Sequence, residues 1–205
     1  MSAQDTAPRR PFVLCLTGSV AMGKTTAARF FAEAGVPVHD SDAVVHALYE
    51  GEAVAAVERA FPGSTANGKV DRGKLSAMVL NDRAALRRLE AIVHPLVGAA
   101  RERFLAEHRG APVVLLDVPL LFEAGLQGCC DAVVVVSAPP EVQRRRAFER
   151  PGMTEEKFEA LLAKQMPDAE KRRRADFVVD SSGDFANTRA QVHDILRRVA
   201  KMQGG

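Results

Sequence analysis

The sequence predicts an α/β fold, a parallel β-sheet flanked by helices, and three observations carry that prediction. Short runs rich in Val and Leu recur at residues 12–17, 112–117, 131–137 and 176–180. Each is nearly continuous rather than alternating, the pattern of strands buried on both faces. The segments between them have helical spacing, and strands alternating with helices specify a parallel sheet.

In chain order, FVLCLT at 12–17 is a compact apolar run ending at Gly18. KTTAARFFAEA at 24–34 follows at helical spacing and is closed by Gly35, giving strand, glycine loop, helix. VPVHD at 36–40 reads as a short second strand, with Ser41 or Asp42 as N-cap of the helix containing AVVHALY. Residues 51–110 are mostly helical in pattern, interrupted by the turn-rich PGSTANGKVDRG. The run LNDRAALRRLEAIVHPLVGAARERFLAEHRG predicts one long helix, or two meeting at a kink at Pro95. PVVLLD at 112–117 and DAVVVVS at 131–137 are buried strands. An arginine-rich helix, the loop RPGMT, another helix and a last strand, DFVVD at 176–180, come next. Residues 188–202 close the chain as an amphipathic helix. The block at 51–110 is too long for a simple crossover and is expected to be an inserted, substrate-side helical subdomain.

At 205 residues the chain suits one domain with a substantial core, here residues 12–205 after a flexible tail at 1–11. A net charge of +2 gives no global field to attract nucleic acid or an anionic membrane. The tail has no apolar run and is not read as a signal peptide. The longest apolar stretch, VVLLDVPLLF, is broken by Asp117 and Pro119 and is too short to span a bilayer. The cytoplasm is the expected location. Cys15, Cys129 and Cys130 make no disulfide framework, and no CxxC or Cys/His spacing suggests zinc. The basic run at 171–174 reads as a solvated helix face. With one Tyr and no Trp to stack bases, the composition argues against a nucleic-acid module.

The stretch GSVAMGKTT carries the chemistry. Gly18-x-x-x-x-Gly23-Lys24-Thr25 satisfies the phosphate-loop pattern, with a buried strand before it and a helix after it. Gly18 lets the chain turn off the strand, and Gly23 lets the backbone approach a phosphate with no Cβ between them. Successive N–H groups and the helix N-terminus then face the anion. Lys24 reaches the β- and γ-phosphates, and the Thr25 hydroxyl is placed to ligate Mg²⁺. Ala21 and Met22 contribute backbone N–H groups, as does Thr26 beyond the motif, so their side chains do not remove donors. The fold class sharpens to a P-loop NTPase fold that binds a nucleoside triphosphate.

The guanine-specifying Asn-Lys-x-Asp is absent, and Asp180-Ser181-Ser182-Gly183 reads as a turn rather than a GTPase switch. HDSDAVVH places Asp40 and Asp42 at the end of the second strand, on the sheet edge where α/β crevices bind ligands. A carboxylate there accepts the proton of an attacking hydroxyl or holds Mg²⁺ through water; helix capping is the alternative, and for Asp40 both remain open. Asp117 ends a buried strand, where an acid commonly sits near Mg²⁺. Arg146 and Arg150 are four apart, on one face of one helix beside RPGMT, and form either a lid or a solvated basic face. Arg144 and Arg145 are read as solvated. A P-loop ATPase or switch remains the rival from another class, and another nucleoside kinase the rival within this one.

LTGSVAMGKTTAARFFAEAGVPVHDSDAVVHALY resembles the N-terminus of the dephospho-coenzyme A kinases. Their pattern is Leu-Thr-Gly-Gly-Ile-Gly-Ser-Gly-Lys-Ser followed by Asp-Ala-Asp, whose second Asp serves as base. The resemblance continues through VDRGKL, LEAIVHPLV, DVPLLFEAGL, QRRRAFER and RRRADFVVDSSG, covering residues 12–183 in order. It implies transfer of the ATP γ-phosphoryl to the ribose 3′-hydroxyl of dephospho-CoA, giving CoA and ADP, in a monomer or small homo-oligomer. It makes Asp42 the base, Lys24 the phosphate clamp, Thr25 the Mg²⁺ hydroxyl, and Arg146 and Arg150 part of a lid over residues 144–166. Arg72 and His94 become acceptor-site positions, each with a bland alternative as a solvated or packed residue. Pro119 and Leu120, in the apolar PLLFEAGL, are placed to cradle the pantetheine arm, with core packing as the alternative. Three positions depart from the family: Ala21 replaces a loop glycine, His46 an arginine, and Ser181 the asparagine of the final turn.

Overall fold

The computed structural model describes residues 10–204. The expected tail therefore lies outside the described residues except for Arg10 and Pro11. Arg10 donates to both carboxylate oxygens of Asp131, at 3.0 and 2.6 Å.

The chain divides into two compact units, one of Asp40–Glu107 and the other of the segments on either side. The flanking segments hold β1 (Phe12–Thr17), α1 (Lys24–Glu33) and β2 (Val38–Asp40). The Asp40–Glu107 unit then contributes α2 (Ser41–Tyr49), α3 (Val54–Ala60), β3 (Thr65–Ala66), β4 (Lys69–Val70), α4 (Arg72–Val79) and α5 (Arg83–Glu107). Beyond it come β5 (Val113–Asp117), a 3-10 turn at Leu126–Cys129, β6 (Ala132–Ser137), α6 (Pro140–Phe148), α7 (Glu155–Ala163), α8 (Asp168–Arg174), β7 (Phe177–Asp180) and α9 (Phe185–Gln203). Every strand expected from the apolar runs is present within two residues of its predicted start.

The five-stranded sheet has order β2-β5-β1-β6-β7, and β1 pairs in parallel with both β5 and β6. Its central strand is buried on both faces. Leu14 and Leu16 point into a core with Phe30 and Phe31 of α1 and Val192, Ile195 and Val199 of α9. Each fully buried Leu or Phe contributes about 1.5–3 kcal/mol of transfer free energy, so this layer fixes α1 firmly against the sheet.

The Asp40–Glu107 unit has its own core, in which Leu48, Val57, Phe61, Leu75, Leu89 and Val93 meet. Helix α5 runs through Pro95 as one element, so the helix is not divided there. Sequence periodicity missed the β3–β4 hairpin, whose turn is Asn67-Gly68 with φ of 52° and 75°. Both residues are left-handed, as a type I′ hairpin turn demands, and the Asn-Gly pair was the available signal. The cap of α2 also differs from expectation. It is Asp40, not Ser41 or Asp42, and its carboxylate accepts the N–H groups of Asp42 and Ala43 at 2.9 and 3.0 Å.

The basic run at 171–174 is not uniformly solvated. Lys171 is fully buried, and its Nζ lies 2.9 Å from Glu123 Oε1. Only Arg172, Arg173 and Arg174 remain on the outer face, the last two paired with Glu170. Arg144 likewise forms a two-pronged ion pair with Glu155 that ties α6 to α7, rather than standing alone in solvent.

Burial alone raises the Glu123 carboxyl's pKa, but hydrogen bonds from Lys171 and from the Met166 N–H outweigh it and hold the group below the usual range. Removing the carboxylate leaves a buried ammonium without its counter-charge. Glu123→Gln is therefore expected to destabilise the protein by about 3 kcal/mol at pH 7 in urea unfolding. Because the folded carboxyl is depressed, its contribution is complete above the ordinary glutamate range and is lost as pH falls through the folded value. The gap between wild type and variant should narrow below about pH 4.5. A gap independent of pH would show that the pair does not carry the effect.

Candidate functional site

The loop between β1 and α1 is shaped by contacts that leave no room for side chains at two places. A Cβ at Gly18 would meet the Val136 carbonyl oxygen at 2.7 Å, closer than such atoms approach. Gly23 sits at φ 83°, and a Cβ there would press on the Ser181 hydroxyl at 3.1 Å. Gly23 is also the cap of α1, with no side chain accepting from the first turn. The N–H groups at that helix start consequently face outward, which is the arrangement an anion uses.

Ala21, the departure from the family's glycine, adopts φ 60°. That left-handed backbone costs an L-residue about 1–2 kcal/mol. Its methyl is buried against Ala147 of α6 and Phe158 of α7, which offsets part of the cost. Neighbouring side chains hold the loop on either side of Ala21. Gln143 Nε2 donates to the Val20 carbonyl at 2.8 Å, and the Val20 N–H donates to Gln165 Oε1 at 3.0 Å. Met22 is buried, with its sulfur 3.1 Å from the Ala138 N–H. Neither glutamine was singled out in the sequence, since nothing local marks a side chain that reaches more than a hundred residues back.

The structure brings Lys24 and Asp117 together, Nζ to Oδ1 at 2.5 Å, both side chains largely buried. Parallel pairing of β1 with β5 sets Leu16 beside Asp117, so the carboxylate emerges next to the loop. Thr25 is exposed in the first turn of α1. The strand-end chain continues past Asp117 with the Pro119 carbonyl accepting from Thr17 Oγ1 at 3.0 Å. In the apolar segment that follows, Leu121 and Phe122 are buried and Leu120 is 45% exposed, so Leu120 is the large side chain there with a free face.

On the other side of the loop, Arg146 donates to the Ser181 hydroxyl at 2.9 Å and to its carbonyl at 2.6 Å. The Ser181 hydroxyl in turn donates to the Met22 carbonyl at 2.8 Å. Ser181, where the family has Asn, thus ties the final turn to the phosphate loop and to α6. Residues 181–183 form the turn expected of them, between β7 and α9. Arg150 does not share a helix face with Arg146. Helix α6 ends at Phe148, and Arg150 lies in the following turn, its N–H bonded to Ala147 and its carbonyl to Met153. The helix stops because Arg150 precedes Pro151, which disfavours helical backbone at the residue before it.

In the Asp40–Glu107 unit, Asp40 is committed to capping α2, while Asp42 is exposed in its first turn. Arg72 NH1 lies 2.6 Å from His46 Nε2. Guanidinium only donates, so the His46 ring nitrogen accepts there. The departure at His46 and the candidate Arg72 are therefore one paired feature. His94 is exposed on α5.

Residues 12–187 match the family model of dephospho-CoA kinase. The chain belongs to the dephospho-CoA kinase family. Dephospho-CoA kinases of Rhodopseudomonas palustris (strain BisB18) and Bradyrhizobium diazoefficiens are 62% and 61% identical over 192 residues, each match covering 93% of this chain and 96% of the relative. A crystal structure from Thermus thermophilus, 34% identical, superposes with a TM-score of 0.83 over 93% of this chain and 98% of that one. The dephospho-CoA kinase of Campylobacter jejuni, at 22% identity and TM-score 0.65 over 94% and 98%, shares the fold. The fold is that of the P-loop kinases, and among the described residues no helix is long and apolar enough to cross a membrane.

The contact at Gly18 is the most restrictive in the dephospho-CoA kinase loop. Gly18→Ala should lower stability by about 1–3 kcal/mol, because the obstructing atom is backbone of the central sheet. ATP affinity should fall with it, measured by calorimetry on the folded fraction. Unchanged melting and unchanged affinity would show that the loop yields freely.

Proposed function

We infer that this chain transfers the γ-phosphoryl group of ATP to the ribose 3′-hydroxyl of dephospho-CoA, releasing CoA and ADP, the last step of coenzyme A biosynthesis. The observation that carries the reading is the Lys24–Asp117 pair beside Gly23 and Thr25, in a chain of this family. It sets a cation and an acid at the start of α1, where a triphosphate would be received.

In this reading the triphosphate draws Lys24 away from Asp117 onto its β- and γ-oxygens, and the backbone N–H groups of Ala21, Gly23, Lys24 and Thr25 receive the remaining oxygens. Gly18 gives the turn that aims them. The N–H groups of Met22 and Thr26, expected as donors, are instead bonded to the Ser19 and Gly23 carbonyls at 3.2 and 3.0 Å. The Thr25 hydroxyl and Asp117 carboxylate are hard oxygen donors of the kind Mg²⁺ takes, and they would hold it. When bound, Mg²⁺ neutralises charge on the β- and γ-phosphates. Arg146, anchored through Ser181, and Arg150, in the Pro-Gly turn, supply further positive charge from a lid over about residues 144–166.

Asp42 acts as general base. It takes the proton of the 3′-hydroxyl as that oxygen forms its bond to the γ-phosphorus, and the bond to the β-bridging oxygen breaks to release ADP. Its exposure in the first turn of α2 leaves its carboxylate open to an acceptor hydroxyl, while Asp40 fixes the turn. The acceptor falls to the Asp40–Glu107 unit, with Arg72 offering a guanidinium to the acceptor's phosphates and His94 a further polar contact. Pro119 and the exposed Leu120 pack along the pantetheine arm.

Asp42→Asn keeps the size and capping geometry but removes the base. ATP affinity should stay within about twofold while kcat falls by about two orders of magnitude or more. Near-wild-type turnover in that variant would remove Asp42 from the mechanism.

A further inference from the structure

Cys15 lies in the middle of β1, while Cys129 ends the 3-10 turn and Cys130 follows it, more than a hundred residues later. No spacing rule connects them, so no ligand set is legible from residue order alone. The structure holds them together by the chain that follows. The Asp131 N–H donates to the Val13 carbonyl at 2.8 Å, and the Asp131 carboxylate accepts the Val13 N–H at 2.8 Å. This clamp fixes residues 129–130 against β1, and all three are thiols.

The Cys15 and Cys129 sulfurs are 3.9 Å apart, and all three sulfurs lie within 4.8 Å of one another. A cation bonded at about 2.3 Å to three thiolates spaces the sulfurs about 4 Å apart. The cluster therefore approaches the dimensions of a three-sulfur site. A disulfide would use two of the sulfurs and require them to close to about 2.05 Å, leaving the third unexplained. Cys15 is fully buried, whereas Cys129 and Cys130 are half-buried and give a path to solvent.

We propose that Cys15, Cys129 and Cys130 bind one thiophilic d¹⁰ cation of the Zn²⁺, Cd²⁺ or Cu⁺ class. Sulfur donors select soft cations and reject Mg²⁺, so this site is chemically separate from the oxygen donors at Thr25 and Asp117. A bound cation takes the place of the thiol protons, so affinity should rise with pH.

The test is a titration of the untagged full chain with Cd²⁺, following the sulfur-to-cadmium charge-transfer absorption in the near ultraviolet. Cys15 is left intact because a hydroxyl in its buried position would threaten the fold. Cys129→Ser and Cys130→Ser are used instead, with metal-free melting curves confirming that each is folded. The expected result is a band saturating at one equivalent in the wild type, with affinity at least about tenfold weaker in each variant. The absence of the band at one equivalent, or wild-type affinity retained in either folded variant, overturns the proposal.

Discussion

Lys24 and Asp117 face each other at 2.5 Å because β1 and β5 run parallel in a register that sets Leu16 beside Asp117. The phosphate loop and the start of α1 are arranged around that ion pair. One partner begins α1 and the other ends β5, so the pair exists only when strand, loop, helix and neighbouring strand are all in place. A largely buried ion pair is a poor stabilising device, since desolvation of both charges offsets most of their attraction. Its use is positional. It holds an ammonium and a carboxylate at the mouth of the phosphate loop before any phosphate is there, so the charges need little reorganisation when one arrives.

The loop itself is held from both sides. Val136 forbids a side chain at Gly18, and Ser181 crowds Gly23 while bonding Met22 and Arg146. Gln143 and Gln165 occupy both backbone groups of Val20. These restraints account for the tolerated departures from the family. Ala21 pays a backbone cost but buries its methyl against Ala147 and Phe158. Ser181 replaces an asparagine and puts its hydroxyl to work on the loop. His46 replaces an arginine and accepts from Arg72.

Much of this was legible in the sequence for a simple reason. The Val- and Leu-rich runs can only be strands of a covered parallel sheet, and the glycine spacing between the first run and its helix has few uses. β1 and the phosphate loop stand where the residues placed them. Other features depend on partners distant in sequence and leave no local trace. Lys171 looked like one of four solvated basics, yet Glu123 draws it into the interior. Arg150 looked like a helix-face partner of Arg146, but Pro151 ends the helix first. Asp40 rather than Ser41 or Asp42 caps α2, a choice set by backbone angles at the strand end and not by residue type. The three thiols converge only through the Asp131 clamp on β1.

The central claim is that one acceptor receives the phosphoryl group. It is tested most directly by measuring ADP release with dephospho-CoA, AMP, adenosine, uridine and no acceptor, and by locating the new phosphate on the product by ³¹P NMR. The account predicts ADP release with dephospho-CoA far above every other condition, with the phosphate on the ribose 3′-oxygen. Equal ADP release without an acceptor, or faster release with AMP than with dephospho-CoA, would contradict it.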